Sequence, residues 1–68
     1  MKVRCNLNGK AISQKNLSEI ITKEKLAELI NFTKMMFNME YEGNKNLVRL
    51  GQRYVVNNTH AVYVAVEI

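Results

Sequence analysis

Sixty-eight residues make one domain, residues 1–68, that buries only about 60% of its unfolded surface, so its stability margin is narrow. The single cysteine, Cys5, excludes an intrachain disulfide, and the single histidine, His60, excludes a His/Cys metal cluster, which leaves self-association or a partner as the remaining external support. Ten Lys and Arg against six acidic residues, all glutamate, give a net charge of +4, a mild basic excess that admits nucleic acid or an acidic surface as partner without requiring either.

Val3, Cys5 and Leu7 alternate with Lys2, Arg4 and Asn6, the period of a half-buried strand. Asn8-Gly9 follows as a tight turn, because both residues tolerate positive φ, and Lys10-Ala11-Ile12 is placed to return as a short second strand. Ser13 suits a helix N-cap, and Leu17, Ile20 and Ile21 carry a two-turn helix from about Gln14 to Ile21. Thr22 restarts the pattern as a second cap, with Glu24 in the first turn and Ile21 and Leu26 spaced as a hydrophobic staple. The pattern fits either a break at Thr22 or one continuous helix.

The second helix is expected from about Thr22 to Asn38. Leu26, Leu29, Ile30, Thr33, Met36 and Phe37 line one stripe, the expected core face. Phe32, Met35 and Met39 fall roughly opposite, around Glu28. Glu40 to Asn46 is polar and ends in turn residues, so a loop is expected there.

From Leu47 the period changes to two. Val48, Leu50, Tyr54 and Val56 share one strand face; Val62, Val64, Val66 and Ile68 share a face of the next. A hairpin with Asn57-Asn58-Thr59 as its loop pairs Tyr54 with Val62 and Leu50 with Val66. Asn57 or Asn58 is expected to supply a left-handed residue. Gln52 then falls on the apolar side opposite Val64, and a bulge near Gly51 would move it.

These elements predict an α+β domain: a three-stranded antiparallel sheet, four-stranded if Lys10–Ile12 joins, with one long and one short helix on one face, in the order β-(β)-α-α-β-β. The chain opens without a charged-then-apolar leader, and its longest apolar run, Ala61 to Val66, is too short for a bilayer. A cytoplasmic protein with no membrane contact is expected.

The excess apolar surface of the long helix points to function. Phe32, Met35 and Met39, with Glu28 among them, are expected to form a protein interface, either with a second copy as a homodimer or with another protein, since a ring and two flexible thioethers adapt well to partner surfaces. The bland alternative is that the short helix folds over this side and the stripe is core. A separate expectation concerns nucleic acid. Lys2, Arg4, Arg49, Arg53 and Tyr63 fall on the outward sheet face, where guanidinium groups suit phosphates and a tyrosine ring suits base stacking. A winged-helix arrangement loosely fits Gln14 to Ile68, but its recognition helix would present Phe32, Met35 and Met39 where polar groups are needed.

Enzyme activity is not expected. Glu24 and Glu28 share a helix face with no sign of a pocket, Cys5 lies on an apolar strand face, and His60 sits at a loop end facing solvent. No cofactor, metal or small-molecule substrate is indicated. A small interaction module acting as an inhibitor or accessory protein is expected, of the kind mobile genetic elements encode by analogy of size.

Overall fold

A computed structural model describes all residues, 1–68, in the order β1 (Lys2–Leu7), β2 (Lys10–Ile12), α1 (Gln14–Ile20), α2 (Lys23–Gly43), β3 (Arg49–Val55) and β4 (Ala61–Glu67). The strands form a four-stranded antiparallel sheet ordered β2-β1-β4-β3, so the expected α+β architecture is present with its optional fourth strand. No helix is long and apolar enough to cross a membrane.

The β1–β2 turn is built as its residues require. Asn8 has φ 50° and Gly9 φ 86°, both left-handed. Asn8 also ties the β1–β2 turn to the neighbouring β3–β4 loop: its Nδ2 donates to Thr59 O at 2.9 Å and its Oδ1 accepts from Ala61 N at 2.8 Å. In the β3–β4 hairpin, Tyr54 opposes Val62 and Leu50 opposes Val66, as the alternation requires. Two expectations fail here. Neither Asn57 nor Asn58 is left-handed; instead Asn57 Oδ1 accepts from Thr59 N and His60 N, each at 2.9 Å, and the side chain shapes the loop. No bulge forms at Gly51 either, because the register runs unbroken from Arg49↔Glu67 to Val55↔Ala61, leaving Gln52 opposite Val64.

Both helices start where their hydroxyl caps place them. Ser13 Oγ accepts from Asn16 N at 3.2 Å, and Thr22 Oγ1 accepts from Lys25 N at 3.1 Å. The helices are separate, because Ile21 and Thr22 are both extended, with ψ 155° and 151°. Ile21 and Leu26 are both buried in the core, as a staple across the Thr22 cap requires. The second helix runs to Gly43, beyond Asn38, and takes in the first half of the expected 40–46 loop. Tyr41 explains the extension. It sits one turn after Phe37 and stacks on it at 5.9 Å, and Lys45 Nζ lies 4.7 Å from its ring centroid.

The core lies between the sheet and the helices. Cys5, Leu17, Ile21, Leu26, Leu29, Val62 and Val64 form its main cluster, with Thr33, Phe37 and Val66 also buried. α1 packs against β1 and α2, whereas α2 spans β3 and β4. Thr33, the one buried polar residue, is satisfied twice. Its Oγ1 donates to Leu29 O at 2.8 Å, and since that uses its only proton, the Tyr54 hydroxyl donates to it at 2.7 Å.

Candidate interaction surface

The free flank of α2 follows from its pitch. At 3.6 residues per turn, the face bearing Leu26, Leu29, Thr33 and Phe37 turns to the sheet and buries. Phe32, Met35 and Met39 are left 46%, 50% and 68% exposed. α1 does not cover them, because it docks near Leu26, Ala27 and Ile30 on another side of α2. The reading of the stripe as core therefore does not hold for the monomer.

Phe32 locates this flank. Its ring meets Tyr54 of β3 edge-on, with centroids 6.3 Å apart and planes at 77°. The apolar flank thus rises over the β3 side of the sheet, continuous with the half-buried Met36. Glu28 is exposed on the same helix and lies 3.8 Å from Lys25 Nζ, a screened pair that leaves the apolar residues free.

The outward sheet face brings together Lys2, Arg4, Arg49, Arg53 and Tyr63, with Glu67 among them. Glu67 stands in register with Lys2 on one side and Arg49 on the other, and its Oε1 accepts from Arg4 Nε at 3.0 Å. That carboxylate removes part of the positive field the basic residues would create alone. Arg53 and Tyr63 are register partners at the other end, beside a shallow depression lined also by Asn6 and Asn8. The Tyr63 ring lies across Gly51, where a side-chain methyl would overlap its hydroxyl. It is half-buried against its own sheet. The β3–β4 hairpin is half of the buried sheet, so it does not project as a wing.

Cys5 and His60 do not meet. Cys5 faces Val64, four residues along β4 from His60, or about 13 Å at strand rise. The thiol is buried, and desolvation raises its pKa above the usual thiol range. His60 is half-buried, not solvent-facing as expected, because its Nδ1 lies 3.1 Å from Asn57 Oδ1 and 3.2 Å from Thr59 Oγ1 within the loop.

One feature escaped the sequence reading, the free edge of β3. Ile68 N donates to Val48 O at 2.9 Å and Val56 N to His60 O at 3.0 Å, so even-numbered β3 residues bond to β4. The backbone groups of Arg49, Gly51, Arg53 and Val55 therefore point outward. The alternating pattern contained this phase only once the strand order was known. No known protein family, characterised protein or solved structure matches this chain.

Proposed function

We propose that this chain is a non-enzymatic protein-interaction module that works through the free flank of α2, binding its own copy or another protein. The observation that carries this reading is the exposure of Phe32, Met35 and Met39 on a helix whose sheet-facing side is already buried. Fully burying such side chains contributes roughly 1.5–3 kcal/mol each before association costs. Their position beside β3 makes them one continuous apolar flank rather than scattered surface residues. A module of this kind acts by occupying a partner's surface, as an inhibitor or accessory protein does. The non-enzymatic part of this reading is supported by the burial of the Cys5 thiol and by the engagement of His60 in its own loop.

The test is the double substitution Phe32→Ser/Met35→Ser, read by light scattering and by partner binding. A lower molar mass or weakened binding is expected; an unaltered mass together with unaltered binding removes the reading.

Nucleic-acid binding is the second reading, supported by the adjacency of Arg53 and Tyr63 on the outward face. Phosphate contacts would make such binding fall steeply with salt. In a gel-shift titration Arg49→Glu/Arg53→Glu should abolish it, and unchanged binding retires it.

A further inference from the structure

The sheet has two edges of different kinds. β2 closes one side with three residues, whereas β3 presents seven on the other. Short edges, inward charges, prolines and bulges are what keep sheet edges from pairing. β3 has none of these, since its inward residues are Leu50, Gln52 and Tyr54, the chain contains no proline, and the register is unbroken. Arg49 and Arg53 are charged, but they point to the outward face, leaving the edge itself open.

We infer that a second copy of this chain docks on that edge, β3 against β3 in antiparallel register about a two-fold axis at Gln52, closing the α2 flanks on each other. The inference rests on the α2 flank being a contact surface and adds how the copy is aligned. Charge selects the register. An axis at Gly51 sets Arg49 directly opposite the partner's Arg53, and an axis at Arg53 sets that arginine opposite the partner's Arg53; like charges directly opposed are destabilising. An axis at Gln52 sets Arg49 opposite the partner's Val55 and Gly51 opposite the partner's Arg53. It also engages every outward amide and carbonyl from Arg49 to Val55.

Gln52 itself gains a purpose. It is a half-buried amide on the apolar side of the sheet, and its polar atoms, without a side-chain partner in the chain, reach solvent at the open edge. The axis brings it against the partner's Gln52 in a non-hydrogen-bonded backbone pair, with Cα atoms about 4.5 Å apart. An amide carries both donor and acceptor, so two related by a two-fold axis satisfy each other.

The helices fit the same axis. α2 spans β3 and β4, so its centre lies about one strand spacing from the axis, and two copies stand about 10 Å apart, an ordinary helix-packing distance. Phe32, Met36 and Met39 are spaced by four and three residues along the flank above β3, the spacing of a two-helix seam. Thr33 sits at the level of Tyr54, and two strand residues match about four helix residues in length, so Met36 and Phe37 lie level with Gln52. Antiparallel helices then bring Met36 beside the partner's Met36 near the axis, with Phe32 and Met39 on either side of it.

The test is site-specific cross-linking in a Cys5→Ala background. A cysteine at the axis meets its own copy within disulfide reach, whereas one at 53 stands roughly 8 Å away and does not. Mild oxidation should convert Gln52→Cys to a reducible dimer at least tenfold faster than Arg53→Cys, while light scattering on the unsubstituted chain gives twice the monomer mass. Faster cross-linking at Arg53→Cys overturns the register. A dimeric mass with cross-linking at neither position overturns the edge contact while leaving the α2 flank as the interface. A monomeric mass at high concentration overturns the docking of a second copy altogether, and the Phe32→Ser/Met35→Ser comparison on a foreign partner then decides the broader reading separately.

Discussion

Tyr54 couples the sheet to α2 through a single proton. Its hydroxyl donates to Thr33 Oγ1 while its ring supports Phe32. Tyr54→Phe keeps the ring and leaves Thr33 bonded to Leu29 O, so it should cost only about 1 kcal/mol in urea unfolding. Cys5 makes a prediction of the opposite kind, about pH. Burial raises its native pKa above the unfolded value, so the neutral thiol is favoured in the folded state. Its contribution is complete below the unfolded pKa and is lost as pH rises through the raised native value. The chain should therefore lose more stability than Cys5→Ala on going from neutral to alkaline pH, measured by denaturant midpoints; equal slopes contradict the burial. Cys5 was legible as a core residue because alternation with Arg4 and Asn6 fixed its side. Gln52 was legible only as a misplaced polar group. Its position was right, but nothing in one chain's pattern says which edge a polar residue borders.

At the scale of elements, the break between the helices rests on Thr22, whose side chain accepts from Lys25 N while Ile21 and Leu26 bury on either side of the cap. Thr22→Ala should destabilise the fold by about 1 kcal/mol without altering helix content, read by thermal unfolding with circular dichroism. A gain in helicity would mean that the two helices had merged. The cap was visible in the sequence, but the break was not, because hydroxyl caps and mid-helix threonines share the same residue type and the apolar spacing runs on through Ile21. The end of α2 was misplaced for a related reason. The polar stretch after Asn38 suggested a loop, while the deciding contact, Tyr41 on Phe37, depends on a stacking geometry that spacing alone permits without requiring. Strand pairing was the most legible feature, since a slip of one residue would turn Val62, Val64 and Val66 out of the core.

At the scale of the whole molecule, charge and edge make separable predictions. Each copy carries +4, so added salt screens repulsion between two copies and should tighten self-association, the reverse of its effect on phosphate binding. Sedimentation at low and high salt distinguishes them. The edge is tested without touching the apolar flank. The Arg53 amide points away from β4, so Arg53→Pro removes an outward donor and keeps the β3–β4 ladder. Arg53→Ala serves as the control, losing the same charge while keeping the amide. By symmetry the proline deletes two hydrogen bonds from the contact, at about 1 kcal/mol each, which corresponds to roughly thirtyfold weaker dimerisation than the alanine variant. Both variants should retain the same circular dichroism spectrum as monomers. Equal Kd values for proline and alanine would mean that β3 is a bare edge and that the copies meet through α2 alone.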